Sequence, residues 1–456
     1  MTPFQSINPY TEEHLASFDF INDAELLRLL EIQQTEQKKW KELPLQKRLQ
    51  FLPELGELLR SKSDELAEIA CLEMGKLRHH AKAEVLKSAS LCEYYFNEAE
   101  NILKPEIKQL ENGVSIRLEP DPMGVILGIF PWNFPFWQIL RSAIPCIVSG
   151  NSMLIKPAPN VPQSSLALQA ILDTCTHLPK HIFTTIFANE EQVSILLKRN
   201  EIKAVTLTGS ERAGASIAQQ AAAQIKPSVL ELGGSDALII LNDAPLEKII
   251  DQVLFSRFQN NGQSCVAAKR FLVQDGIMEK FKTLLIDKMK AFSIGNPMDE
   301  TNTLGPQARK DLLELLQNQV AESVSAGATI LYQSESIPSK GFFFPPTVLT
   351  NIPKACRAYT EELFGPVLSL YNFSTIEEAI SIANDTRFGL GASIFTSNPI
   401  LANEMAQKLE CGMVYINQIV KSDVKIPFGG SKNSGFGREL GPEGLKAFCQ
   451  VKAIWG

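Results

Sequence analysis

Val125-Ile126-Leu127-Gly128-Ile129-Phe130 is an apolar run that ends abruptly at Pro131. Runs of the same texture predict strands over 124–130, 152–156, 182–187, 204–208 and 229–232. Short Val-, Ile- and Leu-rich stretches without polar alternation are what strands covered on both faces require. Between them lie amphipathic segments such as 162–174 and 211–224, whose apolar residues recur at helical spacing. Strand and helix in repetition predict an α/β fold built on a parallel sheet.

Working outward, residues 23–43 and 45–74 alternate apolar and charged positions as helices do, with Pro44 between them. A second α/β series begins near 237–241 and continues through 245–258, 270–273, 278–292, 310–326 and 375–383 to about residue 420. The paired glycines of Leu232-Gly233-Gly234 suit a crossover between two units. The division expected is 1–231, 232–425 and a return segment, 426–456. Residues 108–118, within a segment 104–120, read as a hairpin centred on Asn112-Gly113. With the isolated strand 451–455 it stands outside both units, and exposed strand edges predict pairing with another subunit.

Across 456 residues, 44 Lys and Arg against 51 Asp and Glu leave a formal net charge of −7. This balance argues against a nucleic-acid or anionic-membrane partner. The eight cysteines form no CxxC pair, so neither a disulfide framework nor a zinc or other metal site is expected. The longest apolar stretch, 123–137, is broken by Pro131 and Pro135 and falls short of the ~18 residues of a membrane span. No secretory signal is visible at the start of the chain. A cytoplasmic protein is the expectation.

Cys265 differs from the other cysteines in following a polar, Gly-containing loop, Gln259-Asn260-Asn261-Gly262-Gln263-Ser264. That setting suits an accessible nucleophile, and a partly exposed structural cysteine fits it equally. None of His14, His79, His80, His177 and His181 carries an acidic or Gly-rich neighbourhood, so all are read as surface histidines. Glu231 closes an apolar strand, where desolvation would raise its pKa towards that of a general base; a strand end facing water is the alternative. Thr208-Gly209-Ser210 follows a strand and opens a helix, where backbone N–H groups favour a pyrophosphate. Asn133, in Pro131-Trp132-Asn133-Phe134-Pro135, offers an amide that could stabilise an oxyanion or simply shape a turn. The Gly-rich 435–441 mimics a dinucleotide fingerprint without a surrounding βαβ unit and is read as a turn.

Taken together, these residues resemble the aldehyde dehydrogenase superfamily. The motifs stand in that family's order: Pro131-Trp132-Asn133-Phe134-Pro135, Lys156-Pro157-Ala158, Thr208-Gly209-Ser210, Glu231-Leu232-Gly233-Gly234, Gly262-Gln263-Ser264-Cys265, Glu362-Leu363-Phe364-Gly365-Pro366 and Pro427-Phe428-Gly429-Gly430. The resemblance implies a Rossmann-type cofactor domain, an α/β catalytic domain and a small β oligomerisation element, assembled as a homodimer or homotetramer. It implies Cys265 as nucleophile, Asn133 as oxyanion donor and Glu231 as the base that activates water. Lys156, Gly209, Ser210, Glu362 and Phe364 would hold the cofactor, with Trp132 and Leu232 beside it. Pro159 stands where NAD-selective members carry a glutamate, which implies that NADP is accepted as well as NAD. Arg141, eight residues after Asn133, matches the arginine of members that oxidise succinate semialdehyde. Trp137, Gln259 and Ser422 would line the same tunnel, and Gln259 replaces a second arginine common in that branch. Other ω-carboxy aldehydes such as glutarate semialdehyde, or aliphatic aldehydes in general, are the alternative substrates.

Overall fold

The computed structural model describes residues 4–111 and 113–456. Its first sheet has the spatial order Gly435–Phe436, Ser228–Glu231, Ile202–Thr208, Val125–Ile129, Ser152–Lys156 and Phe183–Thr185. All neighbours are parallel except Gly435–Phe436, which runs against Leu230 and Glu231. Every strand predicted between 124 and 232 is present, within two residues of its expected bounds. The helices Trp137–Val148, Pro162–Thr174, Glu190–Lys198 and Glu211–Ala222 link them. Val125–Ile129 comes first in the chain yet lies between Ser152–Lys156 and Ile202–Thr208. Successive strands leave it in opposite directions, which opens a crevice at their carboxyl ends.

The second sheet has the order Thr329–Gln333, Thr347–Thr350, Val367–Phe373, Arg270–Gln274, Ala237–Ile240, Gly391–Phe395 and Met413–Ile416. It is parallel except at its Thr329–Gln333 edge. The chain passes from one sheet to the other across 232–236, and the carbonyl of Asp236 accepts from the N–H groups of Lys269 and Arg270. Cys265 and Glu362 each precede a strand of this second sheet, Arg270–Gln274 and Val367–Phe373.

Residues 45–74 form three helices rather than one: Leu45–Arg48, Phe51–Ser61 and Ser63–Met74. Pro53 has no N–H, and within a continuous helix its ring would collide with the carbonyl of Leu49, so the chain restarts at Phe51. A long helix, Arg78–Ile102, then packs on Trp137–Val148.

The strands outside the two units correct one expectation. Cys449–Trp455 pairs antiparallel with Ser115–Pro122 of the same chain, from Cys449 opposite Pro122 to Trp455 opposite Ile116. Glu106–Gln109 completes a three-stranded sheet; Asn112, on which the expected turn was centred, lies outside the described residues. The C-terminal strand and the hairpin therefore satisfy one another, and only the sheet's outer edges remain open. No helix among the described residues is long and apolar enough to cross a membrane.

Candidate active site

The helix Leu246–Phe258 gives way to a tight turn in which Asn260, Asn261 and Gly262 have φ of 51°, 57° and 75°. Few residues other than Gly and Asn tolerate this left-handed region. At Gly262 a Cβ would come within 2.3 Å of the Gly365 carbonyl oxygen, so only glycine fits. The asparagines hold the turn with their side chains. Asn260 Nδ2 donates to the carbonyls of Asn133 (2.8 Å) and Gln263 (3.0 Å). Asn261 Nδ2 donates to Gly75 and Pro306, and its Oδ1 accepts from the Gly305 N–H. Cys265 emerges half-buried where two clefts meet. Burial pushes its thiol up to about 11, with Arg141 and Lys269 pulling the other way.

Asn133 follows the strand at the sheet's switch point and is 3% exposed. Its Nδ2 donates to the Gln263 carbonyl at 3.0 Å, which leaves its second N–H available. Among the described residues nothing accepts from the Cys265 N–H. Glu231 is 2% exposed, so it does not face water, and neither carboxylate oxygen has a hydrogen-bond donor. Burial raises its pKa well above the usual range; Glu439 adds to this, while Arg141 and Arg438 oppose it. Sequence reasoning missed Glu439, which belongs to the segment read as a turn. Gly435–Phe436 instead extends the first sheet, and a Cβ on Gly435 would come within 1.9 Å of the Leu230 carbonyl oxygen.

The first cleft is lined by Trp132, Asn133, Gly209, Ser210, Leu232, Cys265, Glu362 and Phe364, among others. Trp132 and Phe364 meet edge-on, with ring centroids 5.8 Å apart. Ser210 caps the helix Glu211–Ala222 by accepting from the Ala213 N–H, while the N–H groups of Glu211 and Arg212 find no acceptor among the described residues. Such orphan donors at a helix N-terminus fit a pyrophosphate. Gly209 is a correction: its N–H already donates to the Glu231 carbonyl at 2.9 Å, so it contributes space rather than a donor.

Glu362 is held by Lys269, whose Nζ lies 2.8 Å from Oε1 and also donates to the carbonyls of Ser264 (2.7 Å) and Cys265 (2.6 Å). The sequence carried a signal for Lys269 that went unused: a lysine at the end of Val266-Ala267-Ala268 must find a partner when that apolar run is buried. Arg257, fully buried, donates to the carbonyls of Leu363, Gly365 and Val367 and so fixes the loop that carries Glu362 and Phe364. Lys156 ends its strand half-buried, with burial lowering its pKa to about 8. Pro159 is exposed and borders a separate cleft with Gln5, Asn160 and Arg309.

The second cleft also reaches Cys265. Trp137, Arg141, Gln259 and Ser422 all border it, as do Phe134, Gln138, Phe255 and Phe428. The walls are mainly apolar, with the cations Lys87, Arg141 and Lys421 and the acid Glu84 among the lining residues. Arg141 is 3% exposed; its Nε lies 2.5 Å from Glu439 Oε2, although the N–H is poorly aligned for a hydrogen bond, and its guanidinium stacks 4.7 Å from the Phe428 ring centroid. Lys87, from the long helix, is a second cation that sequence reasoning missed. His80 corrects the surface reading: it borders this cleft against Phe255, and burial lowers its pKa to about 3, so it stays neutral.

The aldehyde dehydrogenase family profile matches residues 1–454. The chain is 42% identical to the succinate semialdehyde dehydrogenase (NAD(P)+) Sad of Escherichia coli, over 99% of this chain and 97% of that protein. It is also 42% identical to a probable succinate-semialdehyde dehydrogenase (NADP(+)) of Synechocystis, over 99% of both chains. The crystal structure of a succinic semialdehyde dehydrogenase from Streptococcus pyogenes in complex with NADP+ superposes with a TM-score of 0.96 at 37% identity, covering 99% of each chain. Lactaldehyde dehydrogenase from Escherichia coli shares the fold with a TM-score of 0.95 at 32% identity, covering 100% of this chain and 96% of that one. With the motifs in order and Cys265 set between two clefts, the chain belongs to the aldehyde dehydrogenase family.

Proposed function

We propose that this chain oxidises succinate semialdehyde to succinate with NAD+ or NADP+, using water as the acyl acceptor. The observation that supports the reading best is the second cleft, where Cys265 shares a mainly apolar lining with Lys87, Arg141 and Lys421. A four-carbon aldehyde with a distal carboxylate matches that polarity.

Cys265 gives up its thiol proton to solvent water and attacks the aldehyde carbon as the thiolate, which forms the anion of a thiohemiacetal. Its oxyanion takes the second N–H of the Asn133 amide and the backbone N–H of Cys265. The nicotinamide cofactor, held by Trp132, Ser210, Glu362 and Phe364 with Lys156 and Leu232 at its flanks, supplies the hydride acceptor when bound. What remains on Cys265 is a thioester. Glu231, ionised against the pull of its buried setting, removes a proton from water as that water attacks the thioester carbon, and carboxylate and free thiol leave together. Arg141 keeps the Glu231–Glu439 pair from both remaining neutral, because its charge favours ionisation of each.

We assign the cofactor to the unit 1–231 and the nucleophile to 232–425, with 426–456 returning to complete both. The three-stranded sheet supports a homodimer or homotetramer: its edge strand exposes Ile107 and its C-terminal strand exposes Val451 and Trp455. All eight cysteines are free, which suits the reducing cytoplasm. The test is NAD(P)H formation over a panel of aldehydes. Succinate semialdehyde should give the highest kcat/KM, and a higher value for glutarate semialdehyde would move the assignment to that longer substrate.

A further inference from the structure

We propose that Lys87, steadied by Ser422, is the residue that selects for the substrate's distal carboxylate, and that Arg141 only flanks it. The proposal rests on the reading of the substrate as an ω-carboxylated aldehyde. Both cations border the second cleft, but their surroundings differ. Arg141 is charge-compensated by Glu439 and covered by the Phe428 ring, with Thr208 Oγ1 3.5 Å from its Nη2. Lys87 Nζ donates to the carbonyl and the hydroxyl of Ser422, each at 2.6 Å, and lies 4.5 Å from the centroid of the Trp137 ring. Among the described residues no carboxylate lies within 4 Å of it. Two of its three protons are thus spent on neutral oxygens, and one is left for a ligand.

The nearest acid on its own helix is already committed. Glu84 pairs with the buried Lys76 and accepts from the N–H groups of Phe136 and Trp137, at 2.8 and 2.9 Å. This fixes the first turn of the helix that bears Trp137 and Arg141, and it leaves the Lys87 charge unneutralised. A carboxylate bound between Lys87 and Arg141 would relieve the repulsion between them and replace water at Lys87. Burial and Arg141 push the Lys87 ammonium down to about 8, with Lys421 acting in the same direction. Asp423 and Glu84 oppose this, and His80, two turns earlier on the same helix, is neutral. Lys87 is therefore charged at neutral pH and loses its proton in the mildly alkaline range.

The test compares succinate semialdehyde with butanal, which has the same chain length and no carboxylate, at saturating NADP+. Lys87→Met should raise KM for succinate semialdehyde at least tenfold with kcat little changed, shift KM for butanal less than threefold, and be largely rescued by Lys87→Arg. In the unaltered chain, KM for succinate semialdehyde should climb as pH rises past about 8, and in Lys87→Arg that climb should vanish. The pH series needs only the native protein and the arginine variant, so it holds even if Lys87→Met does not fold. Equal effects of Lys87→Met on both aldehydes, or a KM that ignores pH in this range, would overturn the proposal. Failure of the unaltered enzyme to prefer succinate semialdehyde over butanal would instead overturn the functional reading beneath it.

Discussion

The two clefts that meet at Cys265 are made in different ways. The cleft assigned to the cofactor draws mainly on turns that directly follow or precede strands, Trp132-Asn133, Gly209-Ser210, Leu232-Gly233 and the segment of Glu362 and Phe364, with Gln138, Leu312 and Leu315 added from helices. The cleft assigned to the substrate takes the side chains that distinguish it from places far apart in the chain: Lys87, Trp137 and Arg141 from helices, Gln259 from the turn after Leu246–Phe258, and Ser422 from a loop hundreds of residues from Lys87. The difference shows where specificity can change without disturbing chemistry. Backbone turns at a sheet's switch point are constrained by the sheet itself, whereas one helix-face residue can be exchanged alone.

Several substitutions would break or sharpen this contrast. Cys265→Ala belongs to both clefts and should lower kcat by roughly 10⁴-fold or more while cofactor binding, read by quenching of Trp fluorescence, persists. Asn133→Ala, on the shared wall, should lower kcat about 10²–10³-fold with little change in cofactor affinity, as measured in steady-state assays. Lys269→Met removes the partner of Glu362 and the donor to the Ser264 and Cys265 carbonyls. It should destabilise the protein by about 3 kcal/mol in denaturant titration, because it strands a largely buried carboxylate, and raise KM for the cofactor. That effect should stay on the cofactor side, leaving the ratio of kcat/KM for succinate semialdehyde to that for butanal unchanged.

Arg141→Leu tests the substrate side through pH. Arg141 lowers the pKa of both Glu231 and Glu439. Without it both rise, and since Glu231 must be ionised to act as base, the pH at which kcat reaches its plateau should move upward. A pH–rate profile that does not move would show that Arg141 is uncoupled from the base. Pro159→Glu should have the smallest effect, a fall of a fewfold in kcat/KM for NADP+ with NAD+ turnover maintained, since Pro159 borders a separate cleft.

The contrast also explains what could be read from the sequence. The parallel sheet was legible because most of its strands fall on short, largely apolar runs, and the candidate nucleophile, base and oxyanion donor stood out because each sits in a local motif. Glu439 was missed because its glycine-rich segment looks like a turn until Gly435–Phe436 is seen pairing with Leu230 and Glu231. Lys87 was invisible for another reason. On the helix Arg78–Ile102 it is one charged residue among several, and only the packing of Trp137 and Ser422 around it distinguishes it from solvated lysines such as Lys82. The pairing of Cys449–Trp455 with Ser115–Pro122 joins segments more than three hundred residues apart, beyond any local pattern.

Recognition of the distal carboxylate is measured most directly by kcat/KM of the unaltered enzyme for succinate semialdehyde against butanal, with NADP+ at neutral pH. A preference for succinate semialdehyde of about 100-fold is expected, because a buried charged group would bind a carboxylate that the competitor lacks. Equal values for the two aldehydes would contradict it.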